Sequence, residues 1–226
     1  EIEDANLELH SLKNDLLTFI IEDGRYKEST GQLMLKIVND SYQHEVMKEY
    51  TLQYFPNYFE KHWLTQGPNK SEKSELSDLD LRLQEKMVLA LWNSLEFKVW
   101  PIPGTALIRL HELSYKFKSI DPLKIEKVTE VLIRDNSMPN ASRMAALSVA
   151  VERNMHHLSE VAQTITLSKD AGISLKMSAL HTACKMNPND EFLEQIKQEF
   201  IENEQAHRLL KRAAQIAIKK ITKERG

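Results

Sequence analysis

The sequence predicts an all-α protein of stacked helical hairpins, and three observations carry that prediction. A short string returns at nearly constant spacing: Arg143-Met144-Ala145-Ala146-Leu147-Ser148-Val149-Ala150 comes back 33 residues later as Lys176-Met177-Ser178-Ala179-Leu180-His181-Thr182-Ala183. A looser copy, Lys211-Arg212-Ala213-Ala214-Gln215-Ile216-Ala217-Ile218, follows after another 35. A period of this size in helical sequence marks a repeat array. Gly and Pro are few, six and seven in 226 residues, and the apolar side chains are mostly Leu, Ile, Ala and Met, which favours helices over sheets. Finally, apolar residues recur at helical spacing along most of the chain.

Taken in order, Leu7, Leu9, Leu12, Leu16, Leu17, Phe19, Ile20 and Ile21 predict a first helix over 7–21, with Gly24 as its stop. Ser29 or Thr30 is placed to cap a second, carrying Leu33, Met34, Ile37 and Val38 up to the turn-prone Asn39-Asp40-Ser41. A third is expected over 43–55, and Pro56 suits the first turn of a short fourth with Tyr58, Phe59 and Trp63 on its apolar side. Residues 65–80 are polar, mixed in charge and hold only two leucines, so they read as a flexible surface loop. Leu83, Met87, Leu91 and Leu95 mark one face of a helix over 81–95. Pro101, Pro103 and Gly104 then predict a turn containing Trp100. Helical spacing returns over 105–117, and Asp121-Pro122 opens a helix to about Arg134 by placing a cap residue before a first-turn proline. The signature copies are expected over 141–153, 170–186 and 204–221; the first two are each followed by a partner helix (156–167, and one capped by Asn189 or Asp190), and the last closes the chain without a partner.

Within each copy the small residues lie four apart on one helix side, Ala146 with Ala150 and Ala179 with Ala183, so a neighbouring helix can approach closely. One such hairpin cannot bury its own apolar face and must stack on the next. The basic heads Arg143, Lys176 and Lys211 are assigned a structural role, exposed or bonded to the preceding turn. This pattern resembles HEAT repeats, helical hairpins whose first helix carries an Arg, then Ala three positions on and a small or Leu residue seven on. Arg143/Ala146/Ala150 and Lys176/Ala179/Ala183 fit it, and Lys211/Ala214/Ile218 fits loosely. The match covers about 121–223; upstream, Lys86/Leu89/Asn93 and Lys48/Thr51/Phe55 keep the frame poorly. The resemblance implies an α–α superhelix, a HEAT-like solenoid of about five to six hairpins. Its expected organisation is one continuous domain, with N-terminal hairpins over 1–64, the flexible loop 65–80, and HEAT-like repeats over 81–226.

Charge and motif content narrow the function. Net charge is −3, which gives no global attraction to nucleic acid or to an anionic membrane surface. One cysteine, Cys184, rules out an intrachain disulfide framework, and its apolar helix side predicts a buried, inert thiol. No apolar run approaches the ~18 residues that span a bilayer. The chain starts at Glu1, so a processed or trimmed form is expected, extracytoplasmic (periplasmic or membrane-tethered) or cytoplasmic. Phosphate-loop, dinucleotide-loop, HExxH and GxSxG strings are absent. His156-His157 are helix neighbours pointing about 100° apart and make a poor metal pair. Glu204-Gln205-Ala206-His207 matches half of a di-iron motif whose second copy is missing.

The expected function is therefore a non-enzymatic interaction or scaffold module that takes a protein or peptide partner, with no catalytic residue, cofactor or metal. Its binding residues are expected on partner-helix surfaces and near the proline-bounded turn: Trp100, Arg109, His157, Gln163 and Lys197. The alternative is a HEAT-like DNA-binding enzyme of the alkylpurine glycosylase type. The acidic balance, and the lack of paired Trp and Asp in equivalent helices, argue against nucleic acid as the partner.

Overall fold

The structure, a computed structural model, describes residues 2–64, 77–99 and 101–225. Among these residues there are helices and turns and no strand, so the all-α expectation holds. The chain forms two compact units, Glu1–Asp121 and Pro122–Gly226, and within each the helices pack against neighbours in sequence order. None of the described helices is long and apolar enough to cross a membrane.

The first unit holds α1 (Ile2–Asp23), α2 (Lys27–Asn39), α3 (Glu45–Phe59), α4 (Asp78–Ser94) and α5 (Ile102–Ser114). Gly24 stops α1 as expected, in the left-handed region at φ 69°. His44 caps α3, its Nδ1 accepting the Val46 N–H at 3.2 Å. Pro56 does not open a new helix but lies inside α3. It removes one helix hydrogen bond there, yet the helix persists because Phe55, Tyr58 and Phe59 around it are fully buried, and the chain continues as a wide π-helical turn, Glu60–Leu64.

Of the expected loop 65–80, residues 65–76 lie outside the described residues. The last part is already ordered as helix: Ser77 Oγ accepts the Asp80 N–H at 3.1 Å and donates to Asp80 Oδ2 at 2.8 Å, a reciprocal cap that starts α4 at Asp78. Trp100 also lies outside the described residues. The turn that should contain it ends sooner than its prolines suggest, because Pro103 occupies the first turn of α5, where its absent N–H would be unpaired anyway. The pairs α2/α3 and α4/α5 are hairpins, with α3 on α5 and α2 on α4. In α3 the poorly fitting frame residues Lys48, Thr51 and Phe55 are all buried. The Lys48 ammonium lies 5.3 Å from the Phe97 ring centre, and Thr51 returns its hydroxyl to the Met47 carbonyl at 2.7 Å.

The second unit holds α6 (Pro122–Arg134), α7 (Asn140–Glu152), a 3-10 turn His156–Leu158, α8 (Ser159–Leu167), α9 (Ile173–Lys185), α10 (Asp190–Ile196) continued by a π-helical turn Lys197–Glu202, and α11 (Arg208–Arg225). The signature helices are α7, α9 and α11, and they stack side by side, α7 on α9 and α9 on α11. Ala146, Ala150, Ala179, Ala183 and Ala214 are fully buried there. The role given to the basic head is met at Arg143, which is buried and donates from Nε to the Ile133 carbonyl at 3.1 Å. That carbonyl is one of the unpaired groups at the C-terminus of α6, where a cation is favoured.

The hairpin phase differs from the sequence reading. Of their sequence neighbours, α7 and α9 pack on the helix before rather than the helix after, α7 on α6 and α9 on α8. The last helix is not partnerless, since α11 packs on α9 and on the Lys197–Glu202 turn. Ala162 and Thr166, four apart and fully buried on α8, permit the close approach to α9, and Thr166 satisfies its hydroxyl on the Ala162 carbonyl at 2.8 Å.

Candidate functional site

Two helix stops, each turning at an asparagine with positive φ, frame a polar-lined cleft in the second unit. After α7 the chain turns at Asn154, φ 55°, and the Met155 N–H reaches back to the Ala150 carbonyl at 2.9 Å. This six-to-one bond is a Schellman closure, with asparagine in the left-handed position that glycine usually takes. After α9 the chain turns again at Asn187, φ 61°, 33 residues further on and thus at the repeat spacing. Buried Met155 and Leu158 anchor the first stop, and buried Met186 and Pro188 the second. Asn189 then caps α10, its Oδ1 accepting the Phe192 N–H at 2.8 Å.

Between the stops lies an open cleft of about 650 Å³, lined by His156, His157, Ser159, Glu160, Gln163, Met186, Asn187 and Asn189. Gln163 Nε2 donates to Ser159 Oγ at 3.2 Å across the first turn of α8, which orients the carboxamide. At the rim His157 Nε2 stands 3.6 Å from Glu130 Oε2, an ion pair only when the imidazole is protonated; Glu130 also accepts from Arg134 Nε at 2.9 Å. Three carboxamides, Gln163, Asn187 and Asn189, therefore surround the same space. Each combines a C=O acceptor with an NH2 donor, the complement of one peptide unit. Asn189 keeps only its donor for this purpose, because its oxygen is spent on the cap.

Comparison with protein-family models, with curated proteins and with solved structures gives no match.

Of the residues the sequence singled out for binding, the structure brings His157 and Gln163 into this one cleft. Lys197 is exposed on the π-helical turn, 3.4 Å from Glu194 and 3.5 Å from Glu202, whose carboxylates raise its pKa. It does not line the cleft. Arg109 belongs to α5 of the first unit, half-buried, with Nη1 2.6 Å from Glu112 Oε2 and Nε buried without a partner. Trp100 lies outside the described residues. Sequence reasoning missed Asn187 altogether and read Asn189 only as a cap; the signal available for Asn187 was its place 33 residues after Asn154, just past α9 as Asn154 is just past α7.

Among the described residues no group of three or more His, Cys, Asp and Glu is placed to hold a metal ion. Cys184 is half-buried rather than fully buried, and burial pushes its thiol up to about 11, so it stays protonated near neutral pH. A Trp and Asp pair of the kind the DNA-enzyme alternative needs does occur in the first unit, with Trp63 Nε1 3.3 Å from Asp80 Oδ1. Both groups are spent on the fold. The Trp63 ring is buried edge-on against Tyr58 and Phe59, at centroid distances of 5.3 and 4.7 Å, and Asp80 also holds the Lys27 ammonium and the Ser77 hydroxyl.

Burial opposes ionisation of Asp80, but the bonds from Lys27, Ser77 and Trp63 outweigh it and hold its carboxyl below the ordinary 3.8. A carboxyl held down in this way adds stability that is present above its unfolded pKa and is lost as pH falls through its folded value. Asp80→Asn is accordingly expected to cost about 1–2 kcal/mol in urea unfolding near neutral pH. The difference from wild type should shrink as pH falls below 3.8 and through the lower folded-state value. A gap that stayed constant with pH would mean that the charge of Asp80 contributes nothing.

Proposed function

We propose that this chain is a non-enzymatic interaction module of HEAT-like helical repeats, and that it holds an extended peptide segment of a partner protein in the cleft beside α8. The observation that carries the reading is the convergence of Gln163, Asn187 and Asn189 around one open cleft of about 650 Å³. Carboxamides bond the peptide backbone rather than a particular side chain, so the affinity they supply is tolerant of sequence, and rim groups such as His157 and Glu160 supply the preference. The HEAT-like reading is supported by the Arg143/Ala146/Ala150 and Lys176/Ala179/Ala183 frames, whose alanines are buried where signature helices stack. Stacked hairpins of this kind offer extended binding surfaces.

Selection from a random unstructured-peptide library, followed by fluorescence anisotropy, tests the proposal. Asn187→Gly removes a carboxamide while suiting the backbone at φ 61°, and Gln163→Ala removes another from an α-helix that tolerates alanine. Each is expected to weaken a selected peptide about tenfold, the equivalent of one lost hydrogen bond of about 1.4 kcal/mol. Unchanged affinity in both variants would remove the cleft from the binding surface. Salt-sensitive binding of duplex DNA with release of an alkylated base would sink the module reading and favour the DNA-enzyme alternative.

A further inference from the structure

Two helices carry apolar stripes that nothing in their own unit covers. On α1, Leu17 and Ile21 are buried, and α3 is the helix on which α1 chiefly packs. The other side of α1 presents Leu9, Leu12, Leu16 and Phe19, each between 47 and 66 % exposed. Their spacing of three, four and three residues makes one continuous seam along the helix. On α11, Leu210, Ala214 and Ile221 are buried. About a quarter turn round, Leu209 (51 % exposed) and Ile216 (61 %) continue across Ala213 into a groove shared with α9. That groove has a volume of about 410 Å³ and is lined by Met177, His181, Cys184, Ala213, Ile216 and Lys220 among others.

The charges on the two helices are opposite. The α1 sequence holds six acidic residues (Glu3, Asp4, Glu8, Asp15, Glu22, Asp23) against a single lysine. The α11 sequence holds seven basic residues against a single glutamate, and Lys185 and Lys220 border the groove itself. An acidic helix with an apolar seam and a basic helix beside an apolar groove are complementary in shape and in sign. Neither surface is complementary to itself, since two copies of α1 or two of α11 would juxtapose like charges.

We infer that the α1 seam of one copy of this chain docks in the α9/α11 groove of a second copy. The contact is heterologous: it joins different surfaces on the two partners, so a docked pair still offers one free seam and one free groove. Contacts of this kind close into rings or extend into open chains rather than stopping at a symmetric dimer. The inference is independent of the peptide cleft, which lies on other residues.

Light scattering on the whole chain between about 1 and 100 µM, with two variants, tests it. Wild type is expected to show an average mass that rises with concentration beyond two copies. It should fall back toward the monomer as salt shortens the screening length from about 10 Å at 0.1 M to about 3 Å at 1 M. Phe19→Asp blocks the seam and Ile216→Asp blocks the groove; both positions are exposed, so folding is expected to survive and circular dichroism checks it. Each variant alone should be a monomer, and an equimolar mixture should give a dimer and nothing larger, because one intact seam meets one intact groove. A wild type that is monomeric throughout, leaving the seam to another segment or a different protein, would overturn the inference. So would self-association of either variant alone, or a mixture that gains no mass.

Discussion

Phe59→Ala is expected to cost the first unit about 3–5 kcal/mol in chemical denaturation, the range for deleting a fully buried phenylalanine ring. Phe59 is fully buried and is the hub of four rings. It stacks on Phe55 at 6.5 Å and meets Trp63 and Phe117 edge-on at 4.7 and 5.1 Å. Removing it opens a void bounded by rigid rings that cannot collapse inward, and the cavity contribution then adds to the lost transfer energy. Phe59→Leu refills most of the space and should recover more than half of the loss. If Phe59→Ala cost no more than about 1 kcal/mol, the site would have to relax far more than such a cluster permits.

Gly31→Ala is expected to destabilise the same unit, against the helix propensity that would make alanine better by about 1 kcal/mol in the middle of a helix. A Cβ on Gly31 would meet Tyr58 Oη at 2.7 Å and Leu83 Cδ2 at 2.8 Å. Neither neighbour is free to swing away. Tyr58 Oη donates to the Lys27 carbonyl at 2.6 Å, and burial of that hydroxyl raises its pKa, so it remains a donor at any ordinary pH. Leu83 is buried on α4. The overpacking penalty of about 1–3 kcal/mol exceeds the propensity gain, which leaves a net loss. Combining Gly31→Ala with Tyr58→Phe removes the closer atom, and the double variant should lose less than the two single changes added together. Strict additivity would place the clash elsewhere.

Much of this architecture is written locally. Asp121-Pro122 marks the start of α6, Gly24 the stop of α1, and the alanines of 143–150 and 176–183 mark the surfaces where helices stack. Each is a property of adjacent residues, which is why the sequence alone reveals it. The hairpin phase is not, because periodicity reports that a helix has an apolar face and is silent on which neighbour covers it; hence α11 reads as unpartnered although it packs on α9 and the Lys197–Glu202 turn. Nor does any local signal connect Lys27, Trp63 and Asp80, which meet only through tertiary packing. The cleft was half legible. His157 and Gln163 follow from expecting binding on the helix after a signature copy, whereas Asn187 matters because of its backbone conformation, and asparagine in a turn is too common to stand out.

The unequal repeat intervals, 33 and then 35 residues, have a specific seat. Helices α7 and α9 are both 13 residues long. The connections 168–172 and 203–207 that lead into the next signature helix are equal in length. The surplus therefore falls as one residue in the turn 186–189, compared with 153–155, and one in the second helix, where winding widens to the π form over Lys197–Glu202. The extra helix residue is taken up as a wider turn instead of a longer loop, and Leu210 and Ala214 still arrive buried. Alignments of such repeats should accordingly place a single-residue gap inside a helix, where gap penalties usually forbid one.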